Sequence, residues 1–416
     1  MTKLLINNVK TPYKIKNIKV SNTMKNEFIA PSRGFECSEF EQRTEKLQQQ
    51  MAEQRIDAVF FSTEHEFRYF SGFASQFWQS PTRPWFLVVP AQGQPIAVVP
   101  GIGAAGFDET WIDDVRTWPS PRPEDDGVSL LADTLAEVSK QTRRIGAMLG
   151  PETHLRMPVA NYQTLQASLN QHDMVDVSEI VRNLRSIKSA AEVDKIRFVC
   201  DVTAAGFDFL LENLHAGMTE RQACKAMHLE MLRLGADACP YLISASGQGG
   251  YDNIIMGPTD RRLEKGDLLI IDTGANFDGY FSDFDRNFAF GDVDRATHDA
   301  YEAVYASTEA GLDIAAPGRS TGDVWKAMWS VLEAAGSLGN DVGRMGHGLG
   351  MQLTEWPSNV QGGDVILQPG MVLTLEPGMT FAPGKVMVHE ENILITENGC
   401  EMLHKRAWEK LPIITR

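Results

Sequence analysis

Cysteine is scarce in this chain, and its cysteines show no pairing pattern. The 416 residues contain five cysteines, an odd number, and none of them forms a C-x-x-C motif. This excludes a disulfide-stapled scaffold and a thiolate metal site, so free thiols in a reducing cytoplasm are expected. The sequence also lacks the run of about 18 apolar residues that a membrane-spanning helix needs. We therefore expect a cytoplasmic protein with no membrane association.

Positive charge is also in short supply. Lysine and arginine number 39 against 55 aspartates and glutamates, which gives a formal net charge of −16. A nucleic-acid partner is therefore not expected, because phosphate binding needs a basic surface. The first 33 residues are the exception, with seven basic residues and a single glutamate. They have no apolar core of the kind found in a secretory signal, so a basic N-terminal arm is predicted over residues 1–35.

The rest of the chain divides into two differently patterned halves, as its length allows. Over residues 36–185 a predicted helix at 39–56 precedes the strand-like runs DAVFFS, FRYFSGF, WFLVVP and PIAVVP, and helices then alternate with strands. This pattern predicts an α/β domain. Residues 186–416 instead show hairpins with helical blocks near 295–315 and 321–336. They predict an α+β domain whose antiparallel sheet is covered by helices on one face.

Five ionisable residues lie inside glycine-punctuated apolar strand patterns of the second half. The segments LLIIDTGA, YFSDFDRNFAF, GRMGHGLGM, VLTLEPGM and MVHEENILIT supply Asp272, Asp283, His347, Glu376 and Glu390. Burying an isolated carboxylate is costly, and a bound cation is the simplest compensation. Four carboxylates and one imidazole suit divalent Mn, Fe, Co or Zn. The GANFDG turn would place the first two aspartates side by side, as a two-metal site requires. One sheet face is expected to present the whole set.

These segments and their spacing resemble the pita-bread metallopeptidase family, which includes methionine aminopeptidase, prolidase, aminopeptidase P and non-peptidase relatives. The resemblance covers roughly residues 180–410, and DAVFFSTEHEFRYFSGF looks like the smaller domain that precedes the catalytic one in prolidase and creatinase. It implies a pita-bread catalytic domain with two divalent metal ions, manganese being favoured. It also implies a homodimer in which the N-terminal domain lies near the partner's active site.

The resemblance further implies a role for each ligand. Asp283 and Glu390 would bridge both metals, Asp272 would bind one of them, and His347 and Glu376 would bind the other. A metal-bridging hydroxide would attack a scissile amide carbonyl. Glu376 would take up and deliver the proton.

Three positions depart from the prolidase pattern. Two histidines of prolidase-type enzymes are replaced here by Ile255 and Thr354. Loss of such preorganised donors typically costs about 10²–10³ in turnover. The third departure is Asp285, where the family usually has a neutral hydroxyl residue. Asp285 could bind a metal, pair with Arg286, or only add negative charge.

Two substrate classes therefore stay open, beside a non-catalytic binding role. The first is an Xaa-Pro dipeptide or related small amide, handled by substitute donors. The second is a small zwitterionic or onium compound, as in creatinase, an ectoine-ring hydrolase or a dimethylsulfoniopropionate lyase, which also carries an acidic–Trp–Pro run. Retention of all five ligands counts against a binding protein. Besides Glu376, the catalytic candidates are Thr354 and Glu355, and the substrate-binding candidates are Trp78, Arg83, Tyr251, Ile255 and Trp356.

Overall fold

The computed structural model describes residues 28–339 and 343–416. Most of the predicted basic arm, residues 1–27, lies outside the described residues. The described part of the N-terminal half contains five α-helices, α1 (Cys37–Glu53), α2 (Glu64–Ser71), α3 (Val128–Val138), α4 (Val159–Ser168) and α5 (Ser178–Ser186). Its strands are β1 (Ala58–Phe61), β2 (Phe86–Pro90), β3 (Ile96–Pro100), β4 (Asp114–Trp118), β5 (Arg144–Ala147) and β6 (Asp173–Asp176).

These six strands form one mixed sheet in the order β4-β3-β2-β1-β5-β6. The β1–β2 and β2–β3 pairs are antiparallel, and the three outer pairs are parallel. Both faces of the central strands are covered. Val59 and Phe61 pack on the side of α1 and α2, whereas Ala58 and Phe60 pack on the side of α3. This covering explains why the central strands are apolar throughout.

One predicted strand is wrong. The FRYFSGF segment forms most of helix α2 and not a strand. Its aromatic content favours a strand on propensity. However, its buried Phe67, Phe70 and Ser71 recur at helical spacing and face the core. Packing of this face against the sheet therefore outweighs the local preference.

The C-terminal half contains helices α6 (Ala190–Asn213), α7 (Glu220–Arg233), α8 (Arg295–Ile314) and α9 (Thr321–Ala334). Ser189 begins α6 with a capping box formed with Glu192. The first group of strands is β7 (Ala238–Gln248), β8 (Asp267–Phe277), β9 (Tyr280–Phe281) and β10 (Phe284–Phe290). The second group is β11 (His347–Gly348), β12 (Glu355–Ser358), β13 (Val372–Leu375), β14 (Gly378–Ala382), β15 (Lys385–Val388), β16 (Glu391–Thr396), β17 (Gly399–Met402) and β18 (Ile413–Ile414).

The strands of this half form two five-stranded sheets and one hairpin. The first sheet has the order β18-β10-β8-β7, with β9 paired to β8, and the second has the order β12-β11-β13-β16-β17. Strands β14 and β15 form a separate two-stranded sheet, and Val386 of β15 also bridges to Tyr251. Helices α6 and α7 pack against the first sheet, and α8 packs against α9 and the β14–β15 hairpin. Within the described residues, no helix combines the length and apolar character needed to cross a bilayer.

Buried ion pairs join the two halves. Arg185, at the end of α5, donates hydrogen bonds to Glu66 of α2 at 2.8 Å and to Glu355 of β12 at 2.5 Å. Lys188 donates a third hydrogen bond to Glu355, at 3.1 Å. We call these four residues the interdomain ion cluster. All four are buried, so each charge depends on its partners.

Candidate metal centre

The β8–β10 hairpin carries three aspartates on one face. Asp272 of β8 lies directly opposite Asp285 of β10, and Asp283 comes immediately before β10. The predicted hairpin therefore brings the acidic side chains together. Gly274 makes the approach of the strands possible, because a Cβ there would lie 1.7 Å from the carbonyl oxygen of Ser282.

The other predicted ligands come from the second sheet. His347 begins β11, Glu376 directly follows β13, and Glu390 directly precedes β16. Gly346 has a φ of 114°, and a Cβ there would lie 2.0 Å from the Thr374 carbonyl oxygen. A glycine is therefore required beside the histidine, as its sequence context indicates.

The two sheets meet at these side chains. The imidazole Nε2 of His347 lies 3.4 Å from Asp283 Oδ2 and 4.0 Å from Glu376 Oε2. The Asn392 side chain holds the two sheets together at this point. Its Nδ2 donates to the Asp283 backbone carbonyl at 2.5 Å, and its Oδ1 accepts from the Asp283 N–H at 3.3 Å. The expectation that one sheet face presents all the ligands is wrong. The β8–β10 hairpin of the first sheet supplies three carboxylates. His347, Glu376 and Glu390 come from the second sheet.

Two overlapping groups of ligand atoms result. Asp283, His347 and Glu390 can bring one atom each within 4.8 Å of one another, and so can Asp272, Asp285 and Glu390. Glu390 belongs to both groups. Two adjacent three-residue groups with a shared carboxylate form the arrangement that a pair of divalent ions needs.

The electrostatics of the cluster call for a cation. Burial, reinforced by the charges of Asp285 and Asp283, raises the pKa of Asp272 well above its ordinary value. Burial likewise raises the pKa values of Glu376 and Glu390, and it raises that of Asp285 to about 8. Among the described residues, Asp285 Oδ1 and Glu390 Oε1 are buried without a hydrogen-bond partner. Unpartnered oxygens in a carboxylate cluster fit a divalent cation.

Sequence reasoning missed Tyr241 of β7. Its half-buried hydroxyl donates a hydrogen bond to Asp283 Oδ1, and Tyr241 lies opposite Gly274 in the sheet. A Cβ on residue 274 would lie 2.9 Å from the tyrosine hydroxyl, so the glycine leaves room for it. The TGA sequence after Asp272 is the signal that could have pointed to a group from the next strand.

Two predicted substrate-binding residues are core residues instead. Trp78 is 8% exposed, with its ring 5.3 Å from that of Phe67. Its surrounding loop is polar, but the indole turns inward because an apolar pocket is available. Tyr251 is also buried, and its hydroxyl donates to Asn287 at 2.9 Å and accepts from the Val388 N–H at 3.0 Å. Both assignments are corrected, since neither side chain is free to meet a ligand.

Two other substrate-binding candidates lie on the surface. Arg83 has a φ of 57° and donates to the Ser120 hydroxyl at 3.1 Å. Ile255 is 78% exposed in the segment that follows β7. The structure does not bring either of them into the ligand cluster.

Glu355 is likewise not placed for catalysis. It belongs to the interdomain ion cluster, where it is bound by Arg185 and Lys188. Although burial opposes its charge, these two cations lower the pKa of Glu355 to about 2. A carboxylate that is ionised and fully paired is a poor proton acceptor, so the catalytic assignment is corrected to a structural one.

Thr354 and Trp356 line a cavity of about 230 Å³ between the two halves of the chain. Its polar wall contains Arg182 and Arg344, together with His65 and His154. The Arg182 guanidinium lies over the Trp356 ring at 5.5 Å, and its Nη2 is buried without a hydrogen-bond partner among the described residues. Arg344 donates to the Ser358 hydroxyl at 2.8 Å. Glu66, Glu152 and Glu355 also line the cavity, and Arg185 pairs with Glu66 and Glu355. Arg344 lies 3.8 Å from Glu152, so Arg182 is the guanidinium best placed to bind an anion, with Arg344 beside it.

Comparison with known proteins gives matches to two family models that together span most of the chain. Residues 43–187 match the creatinase/prolidase N-terminal domain, and residues 194–397 match metallopeptidase family M24. A peptidase of Bacillus subtilis, YqhT, is 32% identical over 246 residues, which are 58% of this chain and 69% of that protein. An Xaa-Pro dipeptidase of Pyrococcus furiosus is 25% identical over 373 residues, 89% of this chain and 99% of that protein.

Solved structures share the architecture over almost the whole chain. The dipeptidase PepE from Mycobacterium ulcerans superposes with a TM-score of 0.80 at 26% identity, covering 92% of this chain and all of that one. A prolidase from Thermococcus sibiricus gives a TM-score of 0.81 at 24% identity, with 91% of this chain and 99% of that chain covered. The second likeness bears on the fold alone.

Proposed function

Because the chain belongs to metallopeptidase family M24, we propose that it is a dinuclear metal-dependent hydrolase acting on Xaa-Pro dipeptides or closely related small amides. The observation that carries this proposal is the pair of ligand groups sharing Glu390. An intact two-metal ligand set supports catalysis in preference to a binding role. Manganese as the metal, a homodimer and a cytoplasmic location remain parts of the prediction.

The proposed metal ligands are Asp272, Asp283, His347, Glu376 and Glu390. Bound divalent ions would polarise a carbonyl oxygen and lower the pKa of a coordinated water. Tyr241 would orient Asp283 by its hydrogen bond, which is the usual contribution of a group behind a metal ligand. Asn392 would hold the Asp283 backbone and so keep the two sheets in register.

Glu376 is the proposed proton carrier. Its side chain keeps 20% of its surface exposed and lies beside His347, with 4.0 Å between Oε2 and Nε2. A general base needs both access to solvent and a position at the reacting group. The partial exposure of Glu376 at the edge of a largely buried cluster supports this role.

The cavity beside Thr354 supports a substrate with a free carboxylate. Arg344 lines this cavity, and its positive charge also acts on Glu376, where it opposes the rise in pKa caused by burial. Arg344 therefore links the cavity to the ligand cluster. A guanidinium binds a carboxylate with charge-assisted hydrogen bonds. The C-terminal carboxylate of a dipeptide is such a group.

A small zwitterionic compound is the second candidate substrate. Thr354 stands in place of one prolidase histidine and lies at the cavity wall, and Ile255 stands in place of the other and points into solvent. The imidazoles that hold a peptide are thus absent from both positions. A betaine-like molecule also carries a carboxylate, so Arg182 and Arg344 in the cavity would suit it equally.

A substrate panel with metal analysis tests this proposal. Protein loaded with Mn²⁺ should contain two ions per chain and hydrolyse Gly-Pro or Ala-Pro, with weaker turnover of the amide-capped dipeptides that lack the carboxylate. Glu376→Gln should lower turnover by about 10²–10⁴-fold, whereas Glu333→Gln, on the exposed surface of α9, should not. Turnover of betaines or sulfonium acids without dipeptide hydrolysis would favour the second candidate. Absence of bound metal after loading would overturn the hydrolase proposal.

A further inference from the structure

Asp285 is buried, and one of its carboxylate oxygens accepts no hydrogen bond from the described residues. The residue is 1% exposed, and its Oδ1 has no hydrogen-bond partner among the described residues. It also faces Asp272 directly across the β8–β10 pair, with both side chains on the same face of the sheet. Like charges directly opposite each other destabilise a sheet. The arrangement therefore needs a compensating group between the two carboxylates.

Arg286 does not supply that compensation. Its Nη2 donates to Glu391 at 2.8 Å, and its Nη1 donates to the backbone carbonyls of Asp285 and Glu390 at 2.9 and 2.5 Å. These hydrogen bonds leave the Asp285 carboxylate without a donor from its neighbour. A structural ion pair between the two residues is therefore not what holds Asp285 in place.

We propose that Asp285 is itself a metal ligand, and that it adds a further oxygen to the all-carboxylate position of the pair, beside Asp272 and Glu390. The three side chains can each place an oxygen within 4.8 Å of the others. Because this inference concerns one position of the pair, it rests on the proposed dinuclear centre. It adds a residue to the ligand set that the family resemblance implies.

The added ligand increases the chemical difference between the two positions. A site built only from carboxylate oxygens suits a hard divalent cation such as Mn²⁺ or Mg²⁺, whereas the position beside His347 also suits Fe²⁺, Co²⁺ or Zn²⁺. With Asp285 included, five carboxylates surround the pair and outnumber the four positive charges of two divalent ions. We therefore expect Mn²⁺ to fill both positions and Zn²⁺ to prefer the one with the imidazole.

Metal binding to the Asp285→Asn variant tests the inference without any activity assay. Isothermal titration with Mn²⁺, checked by elemental analysis after dialysis, should give two ions per wild-type chain. In the variant one position should keep its affinity and the other should weaken by about tenfold or more. The matched control is Asp267→Asn, the same change at a fully buried β8 aspartate that pairs with Arg261 at 2.6 Å, outside the ligand cluster. This control should still bind two ions.

A second variant tests the same inference by removing a ligand of the other metal position. His347→Ala should lose the mixed position and keep one Mn²⁺ at the all-carboxylate one, with Zn²⁺ binding weakened more than Mn²⁺ binding. Asp285→Thr replaces the asparagine variant if that one fails to fold, and it should show the same loss. Two Mn²⁺ ions bound by either Asp285 variant with affinities within twofold of wild type would overturn the inference. Failure of the dinuclear proposal would instead appear in the wild-type titration.

Discussion

At the scale of single residues, the chemistry of this site depends on groups behind the ligands as much as on the ligands. The five candidate ligands could be singled out because charged residues in apolar strands are conspicuous in the sequence. Tyr241 could not be predicted, because a tyrosine in a strand is expected to pack in the core unless its neighbour across the sheet is known. The prediction for Trp78 was wrong for the converse reason, since the polar residues beside it in sequence concealed an apolar pocket that contains Phe67 and Trp85.

Tyr241→Phe should weaken metal binding while leaving the fold intact. The change removes the hydroxyl that donates to Asp283 and leaves that carboxylate oxygen free to reorient. We expect the Mn²⁺ affinity to fall by about 10–100-fold, as is usual when the hydrogen-bond partner of a ligand is lost. Calorimetric titration measures this directly.

Tyr251→Phe serves as the control for that measurement. It removes a more deeply buried hydroxyl, which is bonded to Asn287 and to the Val388 N–H and not to a candidate ligand. It should cost about 1–3 kcal/mol of stability and leave the metal affinity unchanged. Equal losses of affinity in the two variants would show that the effect is a general loosening of the domain.

At the scale of elements, β12 connects the metal centre to the N-terminal half. It pairs with β11, which begins at His347, and it also carries Glu355 of the interdomain ion cluster. The alternation of helices and hairpins could be read from the sequence, and the family comparisons confirm the two-domain pita-bread fold. The division of the candidate ligands between two sheets could not be predicted from the sequence. Strand order depends on contacts between segments more than 100 residues apart.

Glu355→Gln should destabilise the protein by about 3–5 kcal/mol, because it leaves Arg185 and Lys188 buried without a counter-charge. The Glu355 pKa in the folded chain is lowered to about 2. The stability that it contributes is therefore fully present above its ordinary pKa of 4.5 and is lost as the pH falls through about 2. Urea unfolding should thus show a large difference from wild type at pH 7 that shrinks below pH 4.5.

Glu401→Gln is the matched control, since it breaks the exposed Glu401–Arg197 pair. It should cost less than about 1 kcal/mol at either pH. A difference between wild type and Glu355→Gln that stays constant down to pH 2, or one no larger than that of the control, would contradict a structural role for the cluster.

At the scale of the whole molecule, metal removal should make stability fall as the pH rises. The folded-state pKa values of Asp272, Glu376 and Glu390 are raised, and that of Asp285 is about 8. Groups with raised folded pKa values contribute stability that is fully present below their ordinary pKa values and is lost as the pH rises through the folded ones. The metal-free protein should therefore melt at a lower temperature at pH 8 than at pH 5.

Added Mn²⁺ should reverse this loss, because a cation that binds only the folded state stabilises it. Differential scanning calorimetry with chelator and with Mn²⁺ should show a larger metal-induced rise in Tm at pH 8 than at pH 5. Asp272→Asn removes one of the buried charges and should flatten the metal-free profile. A metal-free Tm that increases from pH 5 to pH 8 would contradict the reading of the cluster as uncompensated charge.

Glu390, which completes both ligand groups, also fixes when the centre can form during synthesis. It lies late in the 416-residue chain, after the hairpin aspartates and after His347. A nascent chain that ends after β10 contains the three aspartates of the hairpin but lacks Glu390, the shared ligand. The proposed pair of metal ions could therefore bind only after nearly the entire polypeptide has emerged. A chain truncated before Glu390 would keep most of its core-forming segments but could not bind the proposed pair of metal ions.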